Sequence, residues 1–479
     1  MNKAELGRSN SPENRYQKNL SFISAVVNER ELGYIYTFPD KRLYKPVEDS
    51  SSFINDAWKD YEGEIGIYVH IPYCKPKPPP TETKDLMKKN RLPSDGRDHL
   101  CGYCNLFTVV AKEIPGGFTD SVVREINLYK QIFQNKNVQP TSMYFGGGSP
   151  SLLQAKDLGL IVDNLENTLG KVPVDKEKTI ECIPDSVDYE KLTALHEIGF
   201  NRVSIGVQTF DERVLHYSGR NYDPKLAEEA IRNALDIGFL NVNADLIIGL
   251  PSSSSQTFLK DIELIRKLSP HTITLYQDMT RPVTRFGKMA EHGILPQIPQ
   301  QEIYEWSGIA DEQLRTDGYK RKNLTCWTRG NSWGYQQGED IYSGIPIIGF
   351  GPGARSYGPN AHYSTAYAVS TKLINYSIHQ WREKIDQSQF PTIDGYSLDP
   401  DTKKRARIIL GLMSSEGIAG EEFEDLFNQE LVALRDTEMI YEDNGKLKYT
   451  EMGKAYSGAL SRIFFGEEIE NKLKAYEHK

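Results

Sequence analysis

The sequence predicts an α/β protein built on a parallel β-sheet, curved into a partial or full (β/α) barrel, with a small C-terminal α+β domain of winged-helix type. Six short apolar runs alternate with helical stretches along the chain. Their nearly continuous apolar character is typical of parallel strands that are covered on both faces. Unusual polar residues also cluster where these runs end, which is the edge that carries the chemistry in barrels of this kind.

The elements follow one another in a regular order. The predicted strands are residues 65–71, 141–147, 178–184, 202–208, 241–250 and 271–277. Helical periodicity marks residues 119–133, 151–169, 223–239 and 254–268, and Thr119 is a suitable N-cap for the first of these helices. Successive β-α units of this type predict right-handed crossovers and a parallel sheet.

Four regions are expected along the chain. They are an N-terminal extension (1–60), a barrel core (61–285) with an insert at 75–100, a region completing the barrel and holding substrate (286–385), and a C-terminal domain (400–479). Residues 385–402 have the composition of a linker, and 342–359 form a glycine-dense loop. The pair Asn444-Gly445 predicts a tight hairpin turn in the last region.

Composition restricts the class of protein. The 479 residues carry a net charge of −9, which argues against nucleic-acid binding driven by bulk charge. Neither a signal peptide nor a run of apolar residues long enough for a membrane span is found. A cytoplasmic location is expected, and in that reducing compartment clustered cysteines more often bind metal or react than form disulfides.

Three of the five cysteines crowd into one stretch. Cys101 and Cys104 form a C-x-x-C pair, and 26 residues separate them from Cys74. Thiolates suit iron–sulfur clusters or zinc, and because loop closure costs grow only logarithmically, the intervening residues do not prevent a shared site. Zinc with His70 or His99 as fourth ligand, or ordinary buried cysteines, are the alternatives. If the insert is only a loop, deleting much of 76–98 leaves metal binding intact.

Glycines and charged residues mark the strand ends. In "YFGGGSPS" (144–151), the glycines allow close approach of a ligand to the backbone beside a helix N-terminus, although a tight βα turn uses glycine equally well. The polar residues Glu181, Gln208 and Asp245 lie at or within strands, where a charge such as that of Glu181 or Asp245 is costly unless it is paired or liganded. Glu181 and Asp245 suit ribose hydroxyls and Arg220 suits a carboxylate; structural salt bridges are the alternative for each.

These blocks resemble a known superfamily. "YVHIPYC…CGYC", "GGGSPS", "ECIPDSV", "RVSIGVQTF", "GRNYD", "NADLIIGLP" and "GFGPGARSY" resemble, in this order, radical S-adenosylmethionine (SAM) proteins, and more narrowly the oxygen-independent coproporphyrinogen III oxidase family. The resemblance runs from about residue 60 to the C-terminus. It implies a catalytic [4Fe–4S] cluster on Cys74, Cys101 and Cys104. It also implies a SAM site lined by eight residues: Tyr68, Gly147, Gly148, Ser149, Glu181, Gln208, Arg220 and Asp245.

The resemblance further implies a reaction and its partners. In this superfamily the reduced cluster cleaves SAM to a 5′-deoxyadenosyl radical, which abstracts hydrogen from a small-molecule substrate. The cofactor carries this chemistry, while the protein binds and orients it. A reductant such as flavodoxin or ferredoxin supplies the electron. Neither a nucleic acid nor a membrane is expected as a partner.

Within the family, the motif details favour one branch. The family places three residues between its first two cysteines, and its porphyrinogen oxidases carry a further cysteine at the position of Leu106. "CGYCNLFT" and the upstream "GYIYTFPDKRLY" instead resemble the class C methyltransferases and cyclopropanases, a branch that implies two SAM molecules. Tyr276 and Trp327 are candidates for the second SAM, with core packing as the alternative.

The sequence therefore predicts C-methylation or cyclopropanation of an unsaturated or aromatic small molecule. Coproporphyrinogen oxidation, anaerobic haem opening and haem chaperoning are the alternatives. Cys326 is the only cysteine after residue 182, and it is expected to be a buried core residue.

Overall fold

A single large sheet dominates the computed structural model, which describes residues 12–29, 35–92, 96–278, 281–330, 332 and 334–474. Residues 93–95 of the insert, and Gly33 and Tyr34 of the upstream motif, lie outside the described residues. The strands of the large sheet are β1 (Lys45–Pro46), β2 (Gly63–Ile71), β5 (Val138–Gly147), β6 (Glu177–Cys182), β7 (Arg202–Gln208), β8 (Asn241–Ile248), β9 (Thr272–Gln277), β10 (Tyr319–Arg321), β11 (Cys326–Arg329), β12 (Ile347–Phe350), β13 (Arg355–Tyr357), β14 (Ala361–Thr365) and β15 (Ile393–Ser397). Two smaller sheets contain β3 (Tyr73–Cys74) with β4 (Val109–Val110), and β16 (Ile418–Ala419), β17 (Ile440–Asp443) and β18 (Lys446–Tyr449).

Helices connect most of these strands. They are α1 (Pro12–Asn28), α2 (Ser50–Ala57), α3 (Thr81–Lys89), α4 (Phe118–Phe133), α5 (Ala155–Leu169), α6 (Tyr189–Glu197), α7 (Glu212–Ser218), α8 (Lys225–Ile237), α9 (Ser255–Leu268), α10 (Arg285–Glu291), α11 (Gln300–Thr316), α12 (Gln336–Tyr342), α13 (Thr371–Asp386), α14 (Pro400–Gly411), α15 (Glu424–Asp436), α16 (Glu451–Leu460) and α17 (Glu467–Lys474). Among the described residues, no helix has the length and apolar character needed to span a bilayer.

The predicted parallel core is confirmed. Strands β12, β2, β5, β6, β7, β8 and β9 pair in parallel, in that spatial order. Antiparallel strands extend both edges, from β13 out to β1 and from β11 out to β10. The terminal strands β1 and β10 do not pair with each other, so the sheet is an open, partial barrel. Parallel register brings the C-terminal ends of the core strands to one edge.

The alternation of elements follows from burial on both faces of the sheet. Along β2, Ile65, Ile67, Val69 and Ile71 are almost completely buried. Helix α8 buries Ala227, Ala230, Ile231 and Ala234 at helical spacing and ends at Gly238, whose φ of 93° is the left-handed conformation that stops helices. Apolar helical stripes of this kind cover the strands and make them the core.

The C-terminal region forms its own small core. The predicted hairpin is present as β17 and β18, joined by Asn444 and Gly445 with φ values of 52° and 76°, as a tight primed turn requires. Buried residues of this region pack with Ile23 and Val26 of α1. The N-terminal helix therefore docks on the C-terminal region, which the sequence pattern does not reveal.

Two sequence-based expectations are wrong in detail. Helix α4 begins at Phe118, after Gly117 with φ of 76°, so Thr119 lies inside the helix and does not cap it. The expected linker at 385–402 contains β15, which pairs with β14 and with β1.

Candidate functional site

The structure brings the two ends of the cysteine insert together. Strand β3, which ends at Cys74, pairs in parallel with β4, and the amide of Ala111 donates to the Cys74 carbonyl at 3.0 Å. Inside this pairing, the amide of Lys77 donates to the carbonyl of His99 at 2.6 Å. Residues 78–98 are thus an excursion whose ends are fixed, and the C-x-x-C turn begins immediately after it.

Arg97 makes the insert part of the site. Its buried guanidinium donates to the carbonyls of Cys104 at 2.9 Å and Leu106 at 3.1 Å, and also to Val369 at 2.8 Å. Hydrogen bonds from a charged donor are about twice as strong as neutral ones. The insert therefore supplies a residue that holds the backbone of the C-x-x-C turn. That much of 76–98 can be deleted with the cluster intact stays a prediction, for deletions that retain Arg97.

We expect Arg97→Met to lower iron incorporation severalfold, because three backbone carbonyls lose a charged donor, at a cost of about 1.5–3 kcal/mol for each such bond. Arg91→Met replaces an exposed arginine of the same insert and is the matched control. Iron and sulfide content after anaerobic reconstitution measures both variants. Equal iron loading in Arg97→Met and the unmodified protein would contradict this role.

The C-x-x-C turn also packs tightly against the barrel. The amide of Gly102 donates to Ser218 at 2.9 Å, and the amide of Phe286 donates to the Gly102 carbonyl at 2.9 Å. A Cβ on Gly102 would lie 2.4 Å from the Phe286 ring, so only glycine fits. Arg285, buried, donates to the carbonyls of Asp98 and Ser218 at 2.9 and 3.0 Å. The turn is held on both sides.

The three thiols share one electrostatic environment. Burial raises the pKa of Cys74 and raises that of Cys104 to about 11, with the Cys101 charge adding to both. Burial also acts on Cys101, but the charges of Arg220 and Lys77 outweigh it and lower the pKa of that thiol. The cations therefore compensate thiolate charge at this place, which a negatively charged cluster requires.

The zinc alternative finds no support. Both ring nitrogens of His70 are already engaged, with Tyr68 Oη at 3.0 Å and the Phe107 carbonyl at 2.8 Å. His99 is exposed. Within the ranges that the structure describes, no group of three His, Cys, Asp or Glu is spaced to hold a single metal ion. A four-iron cluster takes its thiolates at separate corners and does not need that spacing.

The glycine-rich loop lies against the first cysteine. The hydroxyl of Ser149 is 3.3 Å from Cys74 Sγ, and the amide of Gly148 donates to Ile71 at 2.8 Å. A Cβ on Gly148 would lie 2.4 Å from the Tyr73 carbonyl oxygen, and Gly147 has φ of 115°. Both glycines are therefore required by close backbone approach.

Glu181 is a buried carboxylate at the centre of the strand ends. Its Oε1 accepts from Tyr144 Oη at 2.8 Å and its Oε2 accepts from the Gly147 amide at 3.0 Å. Burial raises its pKa to about 7, with Asp245 adding to the effect. The ring of Tyr68 stacks on Tyr144 with 6.1 Å between centroids. Each carboxylate oxygen keeps a lone pair for a ligand.

Gln208 and Arg220 meet at the end of β7. Gln208 has φ of 71°, uncommon for a residue with a side chain, next to a register shift of the β7–β8 pairing. Arg220 donates to the Gly206 carbonyl at 2.7 Å and to Tyr222 Oη at 3.2 Å. Its buried Nε finds no partner among the described residues. Backbone strain and an unsatisfied buried donor both occur at functional sites.

Asp245 belongs to a polar ladder across three strands. Its two oxygens accept from Ser204 Oγ at 3.0 Å and Asn243 Nδ2 at 2.9 Å, and Asn243 in turn accepts from Thr274 at 2.9 Å. Burial raises the pKa of Asp245 despite these bonds. The ladder holds the carboxylate in place beside Glu181, as the common strand edge predicts.

The sequence-predicted residues therefore assemble at one edge, and they fit the implied cofactors. The cations Arg220 and Lys77 lie close enough to the thiols to lower the pKa of Cys101. The glycines leave room for a ligand to approach the backbone closely, and the buried Nε of Arg220 has no partner among the described residues. Cys74, Cys101 and Cys104 are the residues that could hold a [4Fe–4S] cluster, and Glu181, Asp245 and Gly147 those that could bind SAM. The residues that the sequence analysis missed are Lys77, Arg97 and Tyr144; only Tyr144 lies in a recognised motif, at the start of "YFGGGSPS", where the glycines carried the prediction.

The N-terminal segment adds cations to the same edge. Lys41 Nζ lies 3.6 Å above the ring of Tyr367, and Arg42 pairs with Asp40 at 2.9 Å. Burial lowers the pKa of Lys41 to about 6, and the charges of Arg355 and Arg281 lower it further. These cations lie on three separate segments, so folding brings together like charges that are costly without an anion.

This cationic group adjoins the Glu181 region. Burial chiefly raises the pKa of Tyr68, and the charges of both Glu181 and Arg355 also act on it. Tyr276 exposes 36% of its surface, yet burial and the charge of Asp245 raise its pKa. The charges of Asp245 and of Tyr36 in the N-terminal segment both act on Tyr276, so this segment lies near the strand ends.

Trp327 does not lie at the strand-end site. It is 1% exposed and donates from Nε1 to Asp311 at 2.7 Å, so the core-packing alternative is correct for it. Cys326 is 4% exposed, and the expectation of a buried core cysteine is confirmed. Two separate cavities of about 260 and 270 Å³ lie toward the C-terminal region and contain no cysteine.

Comparisons with known proteins agree with this geometry. A model of the radical SAM superfamily matches residues 93–265. The heme chaperone HemW of Bacillus subtilis is 24% identical over 416 residues, covering 84% of this chain and 99% of that protein. The oxygen-independent coproporphyrinogen III oxidase of Paracoccus denitrificans is 24% identical, covering 85% and 87%. The solved coproporphyrinogen III oxidase of Escherichia coli has the same fold, with a TM-score of 0.72, 20% identity and coverage of 90% and 96%.

These matches make the chain similar to the radical SAM superfamily over residues 93–265, and its fold is that of the solved oxidase. Within it, the chain is similar along most of its length to the coproporphyrinogen oxidase-like group, and a [4Fe–4S] cluster and SAM are its cofactors. The prediction of C-methylation or cyclopropanation is wrong, because the relatives that match most of the chain are named heme chaperone and coproporphyrinogen III oxidase.

Proposed function

We propose that the protein is a radical SAM enzyme that removes hydrogen from a tetrapyrrole bearing carboxylates, as the name of its oxidase relative suggests. One observation carries the proposal. The basic groups of Lys41, Arg281 and Arg355 converge next to the buried carboxylate region at the strand ends, and the lowered pKa of Lys41, about 6, means that this lysine takes up its charge when an anion binds. A coproporphyrinogen-type substrate has a large conjugated or pyrrolic body with carboxylates at its rim, which this combination of aromatic and cationic groups suits.

The chain's own residues would divide the work as follows. Cys74, Cys101 and Cys104 hold the cluster, and Lys77 and Arg220 compensate its charge. Glu181 and Asp245 accept hydrogen bonds from the ribose hydroxyls of SAM, while the Gly147–Ser149 backbone lies against its amino acid end. When bound and reduced, the cluster and SAM supply the 5′-deoxyadenosyl radical. The surrounding tyrosines exclude water from the radical's path.

The raised pKa of Glu181 predicts a pH dependence for SAM binding. Because this pKa is about 7, the Glu181 carboxyl group of the SAM-free protein is largely protonated at pH 6 and largely ionised at pH 8. The ionised form accepts two hydroxyl donors better, so SAM affinity should rise severalfold from pH 6 to pH 8. Calorimetric titration measures this, and Glu181→Gln should bind weakly with a flatter profile. Affinity that falls with pH would contradict the assignment.

The function is tested by incubating the reconstituted, reduced protein with SAM and coproporphyrinogen III. The expected result is 5′-deoxyadenosine together with a tetrapyrrole product. Lys41→Met and Arg355→Met should each raise KM about ten- to hundredfold, the cost of about 1.5–3 kcal/mol for a lost charged hydrogen bond. Lys225→Met, an exposed site on the outer helix α8, is the control. With coproporphyrinogen whose carboxylates are esterified, the variants and the unmodified protein should have similar KM values, because no carboxylate remains to pair with the cations.

A haem carrier without radical turnover is the second candidate. Leu106 stands at the position where the porphyrinogen oxidases carry a further cysteine, and it is 49% exposed. The similarity to heme chaperones fits the same alternative. If the protein binds haem stoichiometrically and forms no 5′-deoxyadenosine in response to substrate, the haem carrier is favoured over the oxidase.

A further inference from the structure

The cysteine insert has an unusual charge for this protein. Residues 75–100 contain seven basic and four acidic side chains, whereas the whole chain has a net charge of −9. Three of the basic residues, Lys84, Lys88 and Lys89, lie on α3, and Arg91 follows the helix; all four are exposed. We call these four residues the insert patch. None of them forms an ion pair with a carboxylate of the described residues.

The helix that carries the insert patch packs directly on the cysteine turn. Met87, on the buried face of α3, belongs to one apolar cluster with Phe286 and Met289, and Tyr103 packs against that cluster. Tyr103 lies between Cys101 and Cys104, and Phe286 is the ring that contacts Gly102. The exposed face of α3 is therefore separated from the cysteine turn by about one helix thickness, roughly 10 Å.

We propose that the insert patch is the docking surface for an acidic one-electron carrier protein of the flavodoxin or ferredoxin kind, an inference that rests on the cluster site proposed above. The carrier loses one electron and the cluster gains it, and no bond forms or breaks in this chain. Charge complementarity selects the partner, since acidic carriers are repelled by a surface of net charge −9 except where cations are concentrated.

Because the insert-patch cations form no ion pairs among the described residues, they are better suited to attracting an acidic partner than to stabilising the fold. Lys88 and Lys89 also complement the negative C-terminal end of α3, but Lys84 lies in its middle and Arg91 beyond its end. Asp85 and Glu82 are the acidic residues of the same helix, and Glu82 lies 4.0 Å from His216. Leu86, 42% exposed, offers an apolar contact on the same helix. Electron-transfer encounters use small interfaces of this mixed kind.

The test compares the unmodified protein with Lys84→Glu/Lys88→Glu/Lys89→Glu. The control is Lys225→Glu/Lys260→Glu/Lys267→Glu on α8 and α9, which makes the same charge change on other exposed helices. Purified flavodoxin is the probe. Its association with each reconstituted protein is measured by surface plasmon resonance at low and high salt, which gives a readout independent of activity.

The insert-patch variant should associate about tenfold or more slowly at low salt, with a weakened salt dependence, while the control variant changes much less. SAM cleavage driven by reduced flavodoxin should fall in parallel, whereas cleavage driven by dithionite should stay within about twofold of the unmodified protein, because a small reductant needs no docking surface. Equal flavodoxin association by both variants would overturn the proposal. Loss of dithionite-driven cleavage in the unmodified protein would instead count against the proposed function.

Discussion

Cys74→Ala is expected to abolish SAM cleavage and to leave less than half of the normal iron, although 26 residues separate this cysteine from the other two. The fold brings Cys74 close enough to the C-x-x-C turn for the charge of Cys101 to act on its thiol, and the proposed site uses that thiol as one of three ligands. Cys101→Ala and Cys104→Ala should behave alike. Iron and sulfide analysis and quantitation of 5′-deoxyadenosine check the three variants.

Cys326→Ala is the matched control for these substitutions. This cysteine is also buried, but it lies on β11, outside the β3–β4 region that holds the other three thiols. We expect full iron loading and unchanged SAM cleavage, with a modest loss of stability. Full activity in Cys74→Ala would contradict a single site formed across the insert.

Gly148→Ala should have the second largest effect. The new methyl group would lie 2.4 Å from the Tyr73 carbonyl oxygen and 2.5 Å from Thr108 Oγ1, so the backbone of β3 must move. Overpacking of this kind costs about 1–3 kcal/mol. Because Tyr73 immediately precedes Cys74, the displacement should also lower iron content and SAM affinity, which denaturant unfolding and titration measure together.

Gly159→Ala provides the control for that substitution. Gly159 lies inside α5, and the nearest atom to an added Cβ is 3.9 Å away. Alanine should therefore stabilise the helix by about 0.5–1 kcal/mol without affecting the site. If Gly148→Ala and Gly159→Ala have the same iron content and SAM affinity, the close backbone contact at Gly148 does not matter for the site.

The sequence predicts the parallel core well, because periodicity and strand burial are local properties. The runs at 65–71 and 202–208 became β2 and β7, and the polar residues Glu181 and Asp245 converge as expected. Boundaries are less predictable. Gly117 permits the left-handed turn that starts α4 one residue before Thr119, and the polar stretch around Ile393 became a strand because β14 and β1 supply partners.

The parts of the site that escape prediction depend on contacts between distant segments. Arg97 looks like any other basic residue of a loop, but folding places it against the Cys104 and Val369 carbonyls. Lys41 and Arg355 lie more than 300 residues apart, and only the fold brings their charges together. Trp327 shows the reverse case, since an aromatic candidate for ligand contact is committed to Asp311 in the core.

The most direct test of the shared site is electron paramagnetic resonance of the unmodified protein, reconstituted anaerobically with iron and sulfide and reduced with dithionite. A site formed by Cys74, Cys101 and Cys104 leaves one iron open, so we predict a single [4Fe–4S] signal that changes when SAM is added. A signal that SAM leaves unchanged, or no cluster signal at full iron loading, would contradict a SAM-binding cluster assembled across the insert.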